Sequence, residues 1–560
     1  MHEANQQTFR WMIMLDDFRL ESWAIDCVKS LLQESQQELV GIVVKKNESK
    51  GNASFLNKLT RYPYKNLLFR VYQRFRVKRN FVSQHVVNYL GLKHVTILEC
   101  LVHQKGSSEY LDRNDVEKIV RQKPDFILRF GFGILKGEIL QSATYGIWSF
   151  HHDDEQIIRG GPAGFWEIMN RLKVNGVLLQ QLTEKLDAGR LIEKAFLPVI
   201  AHSYQAHYEM IMHESKILLL KAFRKLKLSE GHFSSLPVIS SQAKIYKFPN
   251  NLQCLQFWII LFFNKLNFHW DELFRTEFWQ IGFTNEIIFT QAALDVSLAK
   301  NKVAWFKQEN EKYLADPFLY KHENTLQIIA EEYDYKLRKA KLVSWKAADF
   351  SSKKVALQST NHVSYPSILL NKGTTFCMPE SYQSNSVSIY KFDDFQNEFH
   401  LSQTLVRNIK AVDSTLYFDG TLFWMFYTLE GDVNNTYLYL RYSPSLNSEF
   451  IEHPLNPIVC DITSSRPAGN LLMHEGKLFR PTQDCSVTYG WKIHFMEVKL
   501  LNTNSYHEVY SHSLDVSQSN DLSGIHTINY QDEKTVFDVK YYKFCGANFK
   551  YNILRKLRLK

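Results

Sequence analysis

The sequence has few of the features that mark disulfide-stapled, zinc-binding, secreted or membrane-spanning proteins. Its seven cysteines are scattered, their number is odd and no CxxC pair occurs, so a reducing cytosol fits better than a disulfide framework or a zinc cluster. The first apolar run, Trp11–Leu15, is followed at once by Asp16 and Asp17, which indicates a buried strand and not a secretory core. The most membrane-like run, Leu255–Phe263, is too short to span a bilayer.

Size and charge set only broad limits. A chain of 560 residues predicts two or three domains. The formal net charge of +9 is mild at this length, so it permits an anionic partner without requiring one. The aromatic content of 14% is high, and aromatic residues favour strands and line carbohydrate sites, although most of them fill cores.

The first part of the chain alternates short apolar strands with helices. This pattern predicts an α/β domain with a parallel sheet over residues 1–225, joined by an irregular brace at 226–275 to a second part. The predicted strands are Trp11–Leu15, Leu39–Val44, Val95–Leu101 and Asp125–Arg129, and the predicted helices are Ser22–Gln33 and Asp115–Gln122.

A basic and aromatic segment, Arg61–Asn80, interrupts this alternation. It carries seven Arg and Lys among Tyr and Phe, which fits an exposed amphipathic helix, a contact with an anionic lipid surface or a phosphorylated substrate. No motif supports nucleic-acid binding. The lipid alternative would place a cytoplasmic protein peripherally at the inner face of the membrane.

The stretch from Gly146 to Lys194 carries a specific pattern of a histidine, a basic-glycine loop, a Gly-Val strand and an aspartate turn. It resembles the catalytic half of the folate-dependent formyltransferases, over roughly residues 10–225. The matching residues are His151, Arg159–Gly160, Gly176–Val177 and Leu186–Gly189, with Asp187 following His151 by 36 positions.

This resemblance implies a cofactor and roles for several residues. The cofactor would be 10-formyltetrahydrofolate, and Arg159 would contact the substrate. His151 would hydrogen-bond the oxyanion that develops when an amine attacks the formyl carbon, and Asp187 would orient His151 and manage protons. The residues that resemble the loop holding the pterin ring of folate are Phe132, Gly133, Ile134 and Leu135.

One position departs from the family pattern. Ser149 stands two residues before His151, where the family has an asparagine whose amide is a second oxyanion donor. Loss of one such donor can cost about 10²–10³ in rate. Ser149 could donate through water, His152 could substitute, the domain could transfer another group, or catalysis could be lost. No metal site is predicted from the run His151–Asp154, since adjacent residues rarely face one ion together.

After Trp279 the pattern changes to strands and turns in units of roughly 45–60 residues. Five such units predict an all-β five-bladed propeller over residues 276–560, with polar groups of the innermost strands facing a central pocket. The unit starts are Ala315–Phe318, Ser364–Ser367, Val412–Thr415, Ser465–Gly469 and Ser523–Thr527.

The order of these motifs resembles the N-terminal domain of glucosamine inositolphosphorylceramide transferases and, more remotely, family 43 glycoside hydrolases. The resemblance implies carboxylates from different blades around one funnel, with Asp316, Asp413 and either Glu380 or Glu332 as candidates. Three basic residues would suit an anionic or polyhydroxylated ligand: Arg466, Arg480 and His526. Alternatively, the aspartates only cap turns.

The combined prediction is an N-formyltransferase-like enzyme. It would act on a nucleotide- or lipid-linked amino sugar in surface glycan biosynthesis, with the propeller binding the glycan. Two alternatives stay open: a carbohydrate-active transferase or hydrolase with its site in the propeller, and a non-catalytic glycan-binding protein. The sequence does not predict the acceptor sugar or the oligomeric state.

Overall fold

The structure is a computed structural model that describes residues 7–46, 64–77, 83–185, 189–229, 236–308, 311–431, 433, 435–519 and 521–557. The chain divides into two compact units, 1–265 and 266–560. Among the described residues, none of the helices combines the length and the apolar character needed to cross a membrane.

The first unit is built on a seven-stranded sheet with strand order β13-β12-β10-β8-β1-β3-β5. Its strands are β1 Phe9–Leu15, β2 Arg19–Glu21, β3 Gln37–Lys45, β4 Ser83–His85, β5 Thr96–Cys100, β6 Val102–Lys105, β7 Ser108–Leu111, β8 Phe126–Arg129, β9 Ile134–Leu135, β10 Ile147–His151, β11 Ile158–Gly160, β12 Val174–Gln181, β13 Arg190–Pro198 and β14 Lys244–Tyr246. Its helices are α1 Ser22–Leu32, α2 Leu67–Tyr72 with a π-helical extension Gln73–Val77, α3 Val86–Tyr89, α4 Arg113–Arg121, α5 Phe165–Met169, α6 Tyr204–His213, α7 Ser215–Leu228 and α8 Asn251–Phe274.

The predicted strands and helices of this unit are confirmed to within about two residues at each end. The predicted parallel sheet is correct for β1, β3, β5, β8 and β10, but β12 runs antiparallel to both of its neighbours, β10 and β13. For β12 and β13 the reason is the short connection 182–189, because a parallel pair needs a crossover of a dozen or more residues.

The central strands are mainly apolar because both faces of the sheet are covered. Trp11 on β1, Phe126 on β8 and Trp148 on β10 stack across the sheet, with ring centroids 6.1 and 4.2 Å apart. This stack fixes the register of β10, which carries Ser149 and His151 to its carboxyl end. In open α/β sheets, ligands bind in the crevice at the carboxyl ends of the strands.

The described residues of the second unit form five antiparallel sheets of four or five strands. The strands are β15 Thr276–Thr284, β16 Ala304–Phe306, β17 Lys312–His322, β18 Thr325–Asp334, β19 Lys339–Lys346, β20 Asp349–Leu357, β21 Ser364–Asn371, β22 Thr374–Glu380, β23 Ser386–Asp393, β24 Glu398–Arg407, β25 Ala411–Phe418, β26 Phe423–Leu429, β27 Tyr437–Ser443, β28 Ile451–Glu452, β29 Val459–Cys460, β30 Arg466–Pro467, β31 Leu472–His474, β32 Lys477–Asp484, β33 Lys492–Leu501, β34 Tyr506–Leu514, β35 Ile528–Gln531 and β36 Lys534–Lys543. Two helices, α9 Gln291–Ala299 and α10 Gly546–Lys556, accompany them.

The sheets follow one another in sequence, and the first is assembled from both ends of the unit. Strand β15 pairs with β16 on one side and with β36 on the other, and β36, which comes more than 200 residues later, pairs in turn with β35. The sheets that begin with β17, β21, β25 and β30 make up the rest, and neighbouring first strands lie in contact from β15 to β30. The fifth sheet also contacts the first. Ile528, at the start of β35, donates a backbone hydrogen bond of 2.8 Å to the carbonyl of Ala468, which directly follows β30.

Candidate functional site

The first unit holds a cavity of about 400 Å³ at the carboxyl end of β10. Ser149, His151 and the whole predicted cofactor loop line it, namely Phe132, Gly133, Ile134 and Leu135. Asp187 lies outside the described residues, while Lys185 and Gly189 line the cavity. The structure therefore brings together residues that the sequence pattern had grouped only by resemblance.

The cofactor loop is held by polar contacts to its backbone. The carboxylate of Asp16 accepts a hydrogen bond from the Phe132 amide at 2.8 Å, and that of Glu109 accepts one from the Gly133 amide at 2.7 Å. A guanidinium nitrogen of Arg129 donates to the Gly133 carbonyl at 2.7 Å. Gly131 is needed because a Cβ there would lie 2.3 Å from the backbone nitrogen of Asp16. These contacts predetermine the shape of the cavity wall.

His151 and its two neighbours face different surroundings. The His151 side chain is 25% exposed, and its Nε2 lies 3.8 Å from a carboxylate oxygen of Asp153. Ser149 is buried, and its hydroxyl makes a long contact of 3.5 Å with the Phe150 carbonyl. His152 is not among the residues that line the cavity, and its Nε2 lies 2.9 Å from the Ser215 hydroxyl. Burial, and then the charge of His151, lowers the pKa of His152 to about 3, so His152 is a poor substitute donor.

Two further residues of this unit lie away from the cavity lining. Arg159 lies on β11, paired with β14, and is not among the residues that line the cavity, so its role in substrate binding stays a prediction. His207 on α6 is fully buried, with Nε2 3.2 Å from the side-chain oxygen of Asn175 on β12.

A buried carboxyl pair behind His151 was missed by the sequence reasoning. Asp153 and Glu167 are 2% and 1% exposed. Burial raises the pKa of Asp153, although the charge of His151 opposes this, and burial together with the charge of Asp153 raises the pKa of Glu167 well above its usual range. Both carboxyls therefore hold a proton more readily than free side chains do. The HHDD run was the one signal in the sequence, and no periodicity marks Glu167 as its partner.

Replacing Glu167 with glutamine is expected to flatten the pH dependence of stability of the first unit. A carboxyl whose pKa is raised by folding stabilises the fold fully below its unfolded value of about 4.3, and this is lost as pH rises through the folded value. The wild-type transition should therefore lose up to about 1.4 kcal/mol per pH unit for each such carboxyl above that point, and Glu167→Gln should lose less, because only Asp153 of the two still titrates.

Calorimetric unfolding between acid and mildly alkaline pH measures this difference. The matched control is Glu99→Gln, at an exposed carboxylate on β5. Equal pH slopes for wild type, Glu167→Gln and Glu99→Gln would contradict the raised pKa of Glu167.

The second unit holds a smaller polar cavity of about 170 Å³. Each of the five sheets contributes to its wall: Trp279 from the first, Asp316 from the second, Glu380 from the third, Asp413 from the fourth and Arg466 from the fifth. Four of these five residues were predicted as ligand contacts from the sequence, as was His526, which also lines the cavity just before β35.

Backbone strain recurs on the first strands around this cavity, and two of the three strained residues, Asp316 and Asp413, line it. Asp316, Tyr365 and Asp413 adopt left-handed φ values of 51°, 40° and 47°. In each case the strand pairing shifts register at that residue, which is a β-bulge on the second, third or fourth sheet. A left-handed non-glycine residue costs about 1–3 kcal/mol, and such strain collects at functional sites. Simple turn-capping by these aspartates does not explain why the strain recurs around one cavity.

One side of the cavity is a charged triad. His526 lies between two carboxylates, with Nδ1 2.7 Å from Asp538 and Nε2 3.1 Å from Asp316. Burial alone would lower the pKa of His526, but Asp538 and Asp316 raise it to about 10. Burial alone would raise the pKa of Asp316, but the charge of His526 and hydrogen bonds from Thr527 and Tyr365 lower it. Asp316 is therefore ionised and His526 protonated at neutral pH.

The opposite side combines an ion pair with protonated acids. Arg466 Nε donates to Asp413 at 2.5 Å, and the Asp413 amide donates to Glu380 at 3.0 Å. Burial, and then the charge of Asp413, raises the pKa of Glu380 well above its usual range. Burial, and then the charges of Asp316 and Glu380, does the same for Glu331. The cavity thus offers an ionised Asp316 near neutral glutamic acids, the separation of pKa values that acid–base chemistry on a sugar requires.

Two predicted residues lie elsewhere. Arg480 is fully buried in an ion pair with Glu508 at 2.6 Å and is not among the lining residues, so its guanidinium is committed to holding two strands together. Glu332 pairs with Lys353 and Lys341, and it is Glu331 that lines the cavity. Successive residues of a strand face opposite sides, so only one of the two glutamates could face inward.

Comparisons with known proteins find similarity to both of the families that the sequence resembles. A model of the N-terminal region of glucosamine inositolphosphorylceramide transferase 1 matches residues 298–533. The protein of that name from Oryza sativa subsp. indica is 31% identical over 206 residues, which cover 35% of this chain and 28% of the rice protein. Methionyl-tRNA formyltransferase from Bacillus subtilis is 37% identical over 81 residues, which cover 14% of this chain and 26% of the bacterial protein.

Among solved structures, glycinamide ribonucleotide transformylase 1 from Symbiobacterium toebii is 15% identical, with a TM-score of 0.28, over 42% of this chain and 95% of that one. The chain spans less than a third of the length of the curated relatives named above. It is therefore similar both to the N-terminal region of the glucosamine inositolphosphorylceramide transferases and, over a shorter region, to the formyltransferases.

Proposed function

We propose that this protein transfers a formyl group to the amine of a nucleotide- or lipid-linked amino sugar in glycan biosynthesis. The first unit would be the enzyme, and the second would hold the glycan. One observation carries the proposal: His151, Ser149 and the loop Phe132–Leu135, grouped by the formyltransferase pattern, line one cavity. The similarity to a methionyl-tRNA formyltransferase and to glucosamine inositolphosphorylceramide transferase 1 supports the two halves of the proposal.

The cavity suits part of 10-formyltetrahydrofolate. A volume of about 400 Å³ lies within the range of roughly 300–1,000 Å³ usual for small-molecule sites. Its wall combines the apolar side chains of Ile134, Leu135 and Leu182 with polar groups such as Arg129 and Gln180. An apolar wall with a few fixed polar groups is suited to a flat heterocycle whose edge forms hydrogen bonds. The loop residues would hold the pterin ring.

When bound, the cofactor supplies an activated formyl group. The sugar amine would form a bond to the formyl carbon, the bond from that carbon to the carrier nitrogen would break, and the amine proton would pass to the carrier. His151 would donate a hydrogen bond to the formyl oxygen as negative charge develops there. Asp153, 3.8 Å from His151 Nε2, would stabilise the protonated ring, and Asp187 keeps the proton-transfer role that the family pattern implies.

The five sheets of the second unit would be the blades of a propeller around the smaller cavity. Contacts between successive first strands and the return of the fifth sheet to the first support this arrangement. Trp279 and Tyr489 offer aromatic surfaces for a sugar ring, and Asp316 and Arg466 offer polar partners for its hydroxyl groups. The division into 1–225, 226–275 and 276–560 and a cytoplasmic location belong to the same proposal.

A second candidate function places the chemistry in the cavity of the second unit. The observation that favours it is the ionised Asp316 beside the protonated Glu331 and Glu380, an arrangement that could support glycoside hydrolysis or transfer. A non-catalytic glycan-binding role would need the same cavity without turnover. Paired substitutions in the two units separate these functions.

Titration calorimetry with 10-formyltetrahydrofolate tests the primary proposal directly. We expect wild type to bind with a dissociation constant in the micromolar range that is common for cofactors of transferases. Ser149→Asn should bind at least as well, since the amide restores the family's donor, and His151→Ala should still bind because it leaves the loop intact. The matched control is Gly133→Val, which crowds Glu109 at the loop.

Gly133→Val should abolish the heat of binding. No binding by wild type at millimolar cofactor, or equal binding by Gly133→Val, would contradict the assignment of this cavity to the folate.

A further inference from the structure

Two helices of the first unit pack together and leave apolar side chains in solvent. Asn251, at the start of α8, donates to the Tyr64 carbonyl at 2.8 Å and accepts from the Leu68 amide at 3.1 Å. Further along, the rings of Tyr72 and Trp258 meet at 5.7 Å. The segment 64–77 and the first part of α8 therefore form one structural element of this unit.

The outer side chains of this element are apolar to an unusual degree. The buried face of α8 includes Cys254 and Phe257, the latter stacked on Phe165 at 4.1 Å. The opposite face repeats apolar residues at helical spacing, and Phe262 is 64% exposed. Contiguous apolar patches of this kind mark interaction sites on soluble domains. The exposed apolar residues are Leu67, Val71 and Phe75 on the first segment and Leu252, Leu255, Ile259, Phe262 and Phe263 on α8.

Positive charge accompanies these apolar residues, and negative charge does not. Within the described ranges 64–77 and 236–270, the sequence has seven Lys and Arg and no Asp or Glu. All seven are exposed: Lys65, Arg70, Arg74, Arg76, Lys244, Lys247 and Lys265. They account for most of the net charge of +9 of the whole chain. A partner with a negatively charged surface above an apolar interior would complement both the basic and the apolar residues.

We infer that this apolar–basic surface, residues 64–77 with Leu252–Phe263, is a docking site for an anionic lipid bilayer. Helices with a Trp, Phe and Leu face and basic residues lie in the plane of the bilayer interface, held by buried apolar area and by attraction to anionic lipids. The span of exposed apolar residues on α8 is too short to cross a membrane, which fits an in-plane position. The inference does not depend on the chemistry proposed above.

Sedimentation of the full chain with lipid vesicles tests the inference. We expect binding to phosphatidylcholine vesicles that contain about one third phosphatidylserine, and weak or no binding to phosphatidylcholine alone. Binding should weaken strongly between about 0.1 M and about 1 M salt, where the Debye length falls from about 10 Å to about 3 Å. Absence of binding at low salt would overturn the inference.

Two variants and their controls identify the surface. Arg74→Gln/Arg76→Gln should weaken binding roughly 25-fold, from about fivefold per cation. Phe262→Glu should weaken it by at least about tenfold through lost apolar burial and added negative charge. The matched controls are Lys93→Gln/Lys372→Gln and Phe395→Glu, which change exposed residues elsewhere and should bind like wild type.

Circular dichroism identifies any variant that fails to fold. If Phe262→Glu fails to fold, Arg74→Gln/Arg76→Gln still tests the inference, because both of its side chains are exposed. Equal effects of the variants and their controls would overturn the assignment of the surface. Light scattering tests the alternative that a second copy of the chain covers this surface. A dimer that does not bind vesicles and that Phe262→Glu dissociates would assign the surface to that second copy and overturn the inference.

Discussion

Replacing His151 with alanine is expected to lower kcat/KM for formyl transfer to amino sugars by about 10²–10⁴. The imidazole is the titratable group at the carboxyl end of β10 that both lines the larger cavity and has an acid, Asp153, beside it. The fold should tolerate the loss, because the His151 side chain is partly exposed and its contact with Asp153 is long, at 3.8 Å. A rate assay with 10-formyltetrahydrofolate and a panel of nucleotide-linked amino sugars measures the effect.

Two further substitutions make this experiment decisive between the candidate functions. His103→Ala removes an exposed histidine on β6 and should leave the rate unchanged. Asp316→Asn should leave the formyl-transfer rate at saturating acceptor within about threefold of wild type, because it alters only the cavity of the second unit. If turnover of a glycan is instead lost with Asp316→Asn and kept with His151→Ala, the second unit is the enzyme. Unchanged turnover in both would contradict both sites.

Replacing Arg466 with methionine is expected to destabilise the second unit by about 3–5 kcal/mol. Arg466 and Asp413 form a nearly buried ion pair, with side chains 10% and 3% exposed. Removal of the guanidinium leaves the Asp413 carboxylate without its charge partner beside Glu380, with Gln483 as a remaining neutral donor. The cost is that of an uncompensated buried charge, which exceeds the worth of the pair itself. Calorimetric unfolding of the full chain measures it.

The control and a double substitution test this explanation. Lys321→Met breaks an exposed ion pair with Asp532 and should cost no more than about 1 kcal/mol. Adding Asp413→Asn to Arg466→Met should recover part of the loss, since the charge is removed and asparagine tolerates the left-handed backbone at this position. If the double variant is as unstable as the additive sum of the singles, the loss comes from packing and not from the buried charge.

The sequence by itself determined the elements of both units. Strands buried on both faces are continuous apolar runs, so Trp11–Leu15 and Leu39–Val44 could be read directly from composition. Each of the five predicted unit starts lies on or directly beside a strand of the second unit, namely β17, β21, β25, β30 and β35. Ser149, His151 and the loop Phe132–Leu135 were found by resemblance to a known motif, because the motif is defined by residue types and spacing along the chain. The fold then places these residues around the cavity of the first unit.

Other features required packing between residues far apart in the chain. Glu331 and Glu332 are equivalent in any local pattern, and only the orientation of β18 decides that Glu331 faces the cavity. The raised pKa values of Asp153 and Glu167 depend on the burial of two side chains that lie 14 positions apart in the chain. Arg480 could not be distinguished from Arg466 before their partners, Glu508 and Asp413, were known.

The same distinction holds for the apolar–basic surface of residues 64–77 and Leu252–Phe263. The sequence showed that Arg61–Asn80 is basic and aromatic, but residues 61–63 and 78–80 lie outside the described part of the chain. That the neighbouring face of α8 is apolar and exposed followed only from its packing on Phe165. Local periodicity fixes which residues share a face of a strand or helix, whereas the side of the fold that a face meets, and hence the charge and burial of its groups, is a property of the tertiary structure alone.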